Sequence, residues 1–266
     1  MISTIKLSVH AASAFWEIDV LCQDAHLLAL NKPAGLLVSP DNTEPERPSL
    51  MPLLHAGIER ATGWARELGL SYLVNAHRLE ADTSGILLLA KDKPTLLALA
   101  AQFGSAQPGW TYAALARGDT TESTFVCEAK LSPHLLRPGY TRVDSQKGRA
   151  SRTEFSVREK FSSGYLLLDC QPRTNRPHQI AAHLRHLRLA LVGDEVYGGP
   201  PLWLSSLKSS YRLKPGQTER PLLSRPALHA EQLVCRLPGQ TESIKIEAPW
   251  AKDLTVAIKY LRRFAV

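Results

Sequence analysis

Three kinds of sequence feature are missing from this chain of 266 residues, and each absence excludes a class of protein. No apolar run reaches the roughly 18 residues that a membrane-spanning helix needs. The N-terminus lacks the basic start and continuous apolar core of a secretion signal. No glycine-rich phosphate loop is present, which disfavours a nucleotide-dependent enzyme. We therefore expect a cytoplasmic protein with no membrane anchor and no nucleotide cofactor.

Cysteine is also scarce, and the spacing of the cysteines excludes further classes. The four cysteines form no C-x-x-C pair, so structural zinc and a disulfide framework are both disfavoured; they are Cys22, Cys127, Cys170 and Cys235. His77, His178 and His183 have no cysteine or acid spaced to complete a metal site. We predict no metal and no other cofactor, and interpret these three histidines as structural.

Positive charge, in contrast, is in excess and unevenly placed. Lys plus Arg number 32 against 25 Asp plus Glu, which gives a formal charge of +7. Three segments carry most of it: 130–152 and 205–225 each contain one acid, and 173–193 contains none. Clusters of one sign fit a surface that follows a phosphate backbone. The charge predicts a nucleic-acid partner but does not distinguish RNA from DNA.

The order of predicted elements indicates an α+β fold. Strands dominate the centre of the chain, without the regular alternation of a doubly wound sheet. The patterns that matter below predict two strands within 20–39 around a Pro33–Gly35 turn, a helix over 50–62 ended by Gly63, a buried strand over 84–91, a helix capped by Asp92, and a helix over 176–188 capped by Asn175.

One segment, 75–85 (NAHRLEADTSG), concentrates reactive side chains just before the strand ILLLAKD. It places His77, Arg78, Glu80 and Asp82 on a short loop that feeds a buried strand. Rigidly anchored polar loops commonly carry functional sites. The alternative is a loop whose acids and hydroxyls only cap its own backbone, and residue chemistry alone favours neither.

These residues and four further motifs resemble the RluA-type pseudouridine synthases. HRLEADTSG resembles the family's HRLDxxTSG motif. The other matches, in the family's order along the chain, are NKPAGLLV near residue 32, WTYAALARG with Tyr112, NRPHQIAAH at 175–183 followed by Gly193-Asp194 and Tyr197-Gly198, and the closing LHA at 228–230 with Ala248-Pro249. Five motifs in the right order, from residue 20 to about 250, make a chance match improbable.

The resemblance implies a long, mixed, mostly antiparallel sheet with flanking helices and a central basic cleft. It implies a catalytic domain over 20–266 preceded by an N-terminal extension over 1–19, with no separate N-terminal RNA-binding module. It also implies a reaction: the C1′–N1 bond of a uridine in structured RNA (rRNA or tRNA) is broken, the uracil turns, and C5 joins C1′. The target base is flipped out of the RNA, and no cofactor is needed.

Two positions depart from the family pattern. The residue that aligns with the catalytic aspartate is Glu80, and the arginine expected to pair with that aspartate is replaced by Ala181. Glutamate extends the carboxylate by one methylene, and an error of about 1 Å in a reacting atom can cost on the order of a hundredfold in rate. Either the longer acid pairs with Arg78 or Arg176, or the protein is a non-catalytic RNA-binding protein on the same scaffold.

The motif positions assign the remaining roles. Glu80 is the candidate nucleophile or general base, and we favour it over Asp82, which points the same way if the loop is extended. Tyr112 matches the tyrosine that lies against the target base, and Arg78 the motif cation. The predicted RNA- or substrate-binding residues are Lys32, His77, Asp82, Thr83, Arg176, His178 and Gln179. We expect a monomer, because no apolar surface stripe stands out.

Overall fold

The computed structural model describes residues 3–9, 13–41, 44–105, 109–237 and 240–265. The chain folds into two compact units: residues 1–110 with 230–249, and residues 111–229 with 250–266. The predicted extension over 1–19 lies partly outside the described residues, and its described part contributes strands to the first unit. Among the described residues, no helix is long and apolar enough to cross a bilayer.

The elements confirm a mixed α+β fold. The strands are β1 Thr4–Val9, β2 Ala14–Gln23, β3 Leu27–Lys32, β4 Val74–Asn75, β5 Ser84–Ala90, β6 Gly109–Arg117, β7 Thr124–Cys127, β8 Leu131–Pro133, β9 Thr141–Val143, β10 Thr153–Phe161, β11 Tyr165–Pro172, β12 Ala190–Leu191, β13 Leu228–Arg236 and β14 Ser243–Glu247. The helices are α1 Leu50–Glu59, α2 Gly63–Glu67, α3 Lys93–Ser105, α4 Gln179–His186, α5 Leu204–Leu207 and α6 Lys252–Phe264, with a 3-10 turn at Glu195–Tyr197.

The first unit is built around β5, whose seven residues are all buried. Its sheet runs in the order β1-β2-β3-β5-β13, and β1-β2, β2-β3 and β3-β5 pair antiparallel. Residues of β3, β5, β13 and α3 form one apolar core. A strand buried on both faces has no need of polar alternation, which explains why ILLLA is uniformly apolar.

In the second unit, strands β6, β11, β10 and β7 pair antiparallel in that order. Helices α4 and α6 bury their apolar faces in the core of this unit. A separate two-stranded hairpin, β8–β9, leaves the main sheet. The large, mostly antiparallel sheet expected from the sequence is confirmed.

Three local predictions need correction. Residues 33–39 form no strand; the hairpin is instead β2–β3, turned by Asp24, whose carboxylate accepts from the amides of His26 and Leu27. The predicted helix over 50–62 is α1 followed by α2, and Gly63 begins the second helix instead of ending the first. Helix α4 begins at Gln179 rather than at Arg176.

Candidate active site

The predicted catalytic loop, residues 77–83, connects β4 to the buried strand β5. Gly85, one residue into β5, has φ +112°, and a Cβ built on it would overlap the carbonyl of Ala230 in β13. Only glycine combines this backbone conformation with so close an approach. The serine–glycine pair of the motif therefore lets a neighbouring strand lie directly against the end of the loop.

Lys32 holds the loop from the inside. Its side chain is fully buried, and Nζ donates to the carbonyls of Pro33, Leu36 and Ala81, each at 2.8 Å. Three donors meet three acceptors, as burial of an ammonium group requires. The amide of Gly35 also donates to the Ala81 carbonyl, at 2.9 Å. The NKPAG turn is thus bonded to the catalytic loop through the Ala81 carbonyl, which accepts from both Lys32 and Gly35.

His77 fixes the start of the loop. Its Nε2 accepts the backbone N–H of Leu88 at 3.0 Å, and its ring packs edge-on against Phe103 and Trp110. Burial lowers the pKa of His77 to about 4, partly opposed by a hydrogen bond to the Arg78 backbone. The ring is therefore neutral at pH 7 and acts as a hydrogen-bond acceptor in the core.

The charged side chains of the loop lie at or near its surface. Arg78 is exposed, and Glu80 is half-buried, with its carbonyl accepting the amide of Thr83 at 3.1 Å. The side chain of Asp82 is 49% exposed and its Oδ1 lies 3.8 Å from Nη2 of Arg47. Arg47 also donates to the Gly35 carbonyl and to Glu44. Sequence analysis missed Arg47, because it lies outside every motif and only the fold brings it to Asp82.

In the second unit, a buried polar network supports the start of α4. Gln179 accepts from the Thr174 hydroxyl at 2.9 Å and donates to Thr153 at 3.0 Å. Thr153 lies 2.9 Å from Nδ1 of His183, whose Nε2 lies 3.0 Å from the carbonyl of Ala129. A carbonyl can only accept, so Nε2 carries the proton and Nδ1 accepts from Thr153. Burial lowers the pKa of His183, which favours this neutral form.

Arg176, which lies before this helix, is less completely bonded. The Nε of Arg176 is buried and has no hydrogen-bond partner among the described residues. His178 adopts a left-handed conformation, with φ +50°, and its ring stacks on Tyr140 at 4.2 Å. Ala181, where the family has an arginine, is 3% exposed inside the core of its unit. An unbonded buried N–H costs stability unless a ligand supplies the acceptor.

These positions divide the predicted site residues into two groups. Lys32, Thr83 and Gln179 are at most 4% exposed, and the ring of His77 is engaged by a backbone amide. The Lys32 ammonium and the Gln179 side-chain amide are bonded within the protein, and the Thr83 side chain is buried. In the structure these four residues position the segments that carry them, and direct binding of RNA by any of them stays a prediction. Arg78, Glu80, Asp82, Tyr112, Arg176 and His178 keep at least partial exposure.

Two further observations concern site chemistry. No group of three or more His, Cys, Asp or Glu side chains arranged to hold a metal ion occurs within the described ranges. Tyr112 lies in β6, opposite Cys170 of β11, and is partly buried against the core of the second unit. A tyrosine with one ring face against a core can present the other part of its surface to a base.

Comparison with known proteins identifies the family of this chain. A family model described as RNA pseudouridylate synthase matches residues 26–186, which contain the whole catalytic loop and all of α4. Ribosomal large subunit pseudouridine synthase D of Xylella fastidiosa is 31% identical over 256 residues, covering 92% of this chain and 70% of that protein. Ribosomal large subunit pseudouridine synthase C of Salmonella typhi is 32% identical over 244 residues, covering 91% and 70%.

Solved structures show the same fold. Human RNA pseudouridylate synthase domain containing 4 superposes with a TM-score of 0.66 at 21% identity, covering 91% of this chain and 92% of that one. Human RNA pseudouridylate synthase domain containing 1 gives a TM-score of 0.62 at 20% identity, covering 90% and 87%. The family match spans more than half of the sequence, and the relatives align over nearly all of it. The chain belongs to the RNA pseudouridylate synthase family, whose members are isomerases acting on uridine in RNA.

Proposed function

We propose that this protein converts a uridine of large-subunit ribosomal RNA into pseudouridine, with the Glu80 carboxylate acting on the bound nucleotide as nucleophile or general base. The reaction breaks the C1′–N1 bond and forms a C1′–C5 bond. C5 loses its proton and N1 gains one, so the product is an isomer and needs no oxidant, reductant or group donor.

This proposal depends on one observation: buried contacts fix the backbone of the loop on both sides of Glu80. Lys32 binds the Ala81 carbonyl, His77 binds the Leu88 amide, and Gly85 lies against Ala230. Catalytic groups must be held within a fraction of an ångström of the reacting geometry, and supports of this kind provide that precision. A loop that only capped its own backbone would not need a buried ammonium group beneath it.

The other surface residues fit roles in binding. Arg78 is exposed, and its guanidinium group forms no hydrogen bond or ion pair with the described residues, so it is available for a phosphate. Arg176 has an unsatisfied Nε that an RNA oxygen would complete. We assign Tyr112 to stacking on the target uracil and His178 to an RNA contact, from their motif positions. Asp82 is assigned to orienting Arg47.

The names of the two relatives favour one class of substrate RNA. Both are named for the large ribosomal subunit, which supports ribosomal RNA over transfer RNA as the target. We propose that the protein works as a monomer in the cytoplasm, where ribosomal RNA would be available to it. Sedimentation of the purified protein tests the monomer, and immunolocalisation tests the compartment.

The direct test of the reaction is tritium release from RNA labelled at C5 of uridine. Large-subunit ribosomal RNA and total transfer RNA, both transcribed in vitro and therefore unmodified, are incubated separately with the protein. Release from ribosomal RNA with none from transfer RNA is expected. Release from transfer RNA alone would contradict the proposed substrate.

The same assay tests the Glu80 and Ala181 departures. Glu80→Asp shortens the carboxylate by one methylene and should reduce the rate if the site is built for glutamate. A gain in rate would contradict a site adapted to Glu80. RNA binding by the native protein without tritium release from either RNA would instead support the non-catalytic alternative that Ala181 raises.

A further inference from the structure

The β8–β9 hairpin carries the most exposed large apolar side chains among the described residues. Leu135 is 78% exposed and Leu136 is 87% exposed, and the two are adjacent in sequence at the hairpin tip. We use "the 130–149 hairpin" for β8, β9 and the segment up to residue 149 that pairs with β8. Two neighbouring leucines held in water are unfavourable for the free protein, and such exposed apolar pairs commonly mark interaction sites.

The tip is a folded structure, not a loose loop. The amide of His134 donates to the Tyr140 carbonyl at 2.8 Å, closing the loop, and His134 Nδ1 accepts the amide of Leu136 at 3.2 Å. Behind the tip, Leu131 and Arg149 exchange backbone hydrogen bonds of 3.0 and 2.8 Å. The leucines therefore project from an ordered support.

The base of the hairpin is joined to the segment that contains Arg176. The Thr141 hydroxyl donates to the Pro177 carbonyl at 2.9 Å, the Tyr197 hydroxyl donates to the Thr141 carbonyl at 2.9 Å, and Tyr140 stacks on His178. The hairpin thus projects from the second unit next to a motif segment already assigned to RNA contact.

Charge identifies the kind of partner. The 130–149 hairpin contains five cations, Lys130, Arg137, Arg142, Lys147 and Arg149, and one acid, Asp144. Asp144 is occupied by Arg142 at 2.9 Å and by the amides of Gln146 and Lys147. The other four cations form no ion pair with described residues. A second copy of this chain would bring like charges together, whereas RNA offers phosphates to the cations and stacked bases to the leucines.

We propose that the 130–149 hairpin is a wedge that inserts Leu135 and Leu136 between stacked bases of the substrate RNA, while its cations bind the flanking phosphates. Opening a base step of the RNA would lower the cost of unstacking a nucleotide. The inference rests on the proposed function, because it takes RNA as the substrate.

Binding measurements distinguish the contribution of the two leucines to RNA affinity from the contribution of the hairpin cations. The double variant Leu135→Ser/Leu136→Ser should bind an in vitro transcript of large-subunit ribosomal RNA about tenfold more weakly, with an unchanged salt dependence. Arg137→Ala should instead reduce the slope of log affinity against log salt by about one. The matched control is Leu97→Ser, which changes a leucine that is 60% exposed in α3 and should bind as the native protein does.

A second measurement locates the tip directly. A photoreactive p-benzoylphenylalanine at position 136 should crosslink to the transcript, and the same residue at position 97 should not. Equal RNA affinity for the native protein and the leucine double variant would overturn the wedge. The wedge would also be overturned if position 136 crosslinked to a second copy of the protein and the leucine double variant lost self-association. A native protein that neither binds nor modifies the transcript would overturn the proposed function itself, a distinguishable result.

Discussion

The motif segments of the two units are supported in different ways. In the first unit, segment 77–85 is held by three contacts. The Lys32 ammonium donates to the Ala81 carbonyl, His77 accepts the Leu88 amide, and Gly85 lies directly against Ala230. In the second, segment 173–183 is satisfied inside by Gln179 and His183 but leaves Arg176 incompletely bonded. The first arrangement suits a group that must stay in place, and the second suits a group that completes its bonding on a ligand.

This difference explains why the two departures from the family pattern are not equivalent. Glu80 retains a carboxylate on a rigid loop, so the change there is one of length. Ala181 is buried in the core of its unit, so no charge is available at that position. An unsatisfied cation does occur five residues earlier, at Arg176. The comparison predicts that changes beneath the first segment damage stability and activity together, while changes to Arg176 affect RNA binding.

Gly85→Ala should have the largest effect. The new Cβ would overlap the Ala230 carbonyl in a backbone conformation that disfavours side chains, so we expect a loss of at least about 3 kcal/mol in the free energy of unfolding. Gly69→Ala is the control, because Gly69 also has a positive φ but open space around its Cβ position, and it should cost about 1 kcal/mol. Thermal melting compares the two; equal losses would contradict the tight contact.

Lys32→Met should follow. The substitution removes the ammonium donor from three carbonyls, of which, among the described residues, only that of Ala81 keeps a second donor, the Gly35 amide. We expect a loss of about 3 kcal/mol together with most of the activity. Lys91→Met is the matched control, since the Lys91 Nζ also donates to carbonyls, those of Asp24 and Leu68, but not to the catalytic loop. Urea unfolding and tritium release should show both proteins destabilised and only the Lys32 variant inactive.

The next effect is a loss of stability in acid. Burial lowers the pKa of His77 to about 4 from 6.5 in the unfolded chain, so the unfolded state binds the proton more readily. The contribution of neutral His77 to the free energy of unfolding is complete above pH 6.5. It is lost as the pH falls towards 4, and the loss is at most about 3 kcal/mol. The thermal midpoint of His77→Gln should fall less steeply than that of the native protein over this interval. Parallel curves would contradict the buried neutral histidine.

The smallest effect concerns Arg176. Arg176→Ala should leave the melting temperature nearly unchanged and weaken RNA binding by about tenfold, with the salt slope reduced by about one. Arg173→Ala is the control, because Arg173 is already paired with Glu154 at 2.7 Å. Filter binding at several salt concentrations measures both. Identical slopes for Arg176→Ala and the native protein would remove Arg176 from the RNA contacts.

Local patterns predicted much of this structure. The apolar run of β5 and the cap of α3 were predictable, and the structure shows Asp92 accepting the Thr95 amide at 2.7 Å. The absence of a strand after Gly35 was not predictable, because the Leu36 carbonyl accepts a hydrogen bond from the buried Lys32 ammonium instead of from a neighbouring strand. The start of α4 was also missed, because His178 adopts a left-handed conformation that is uncommon for residues other than glycine.

For the site, the motifs located the segments but could not assign a direction to each side chain. Lys32 and Arg78 are both cations in motifs, yet one is buried beneath the loop and the other is exposed. That distinction depends on contacts between distant residues, such as Lys32 with Ala81, which no pattern within one segment contains. Resemblance to a family gives residue identities, and only the fold separates supports from reacting groups.

The catalytic role of the Glu80 carboxylate is tested most directly by comparing Glu80→Gln with Asp82→Asn in single-turnover tritium release from large-subunit ribosomal RNA. Both substitutions remove a carboxylate at nearly constant size, and both leave the supports of the loop intact. We expect Glu80→Gln to bind the RNA normally but to react at least about a hundredfold more slowly, while Asp82→Asn stays within tenfold of the native rate. A native rate for Glu80→Gln, or the reverse order of the two variants, would contradict a catalytic role for Glu80.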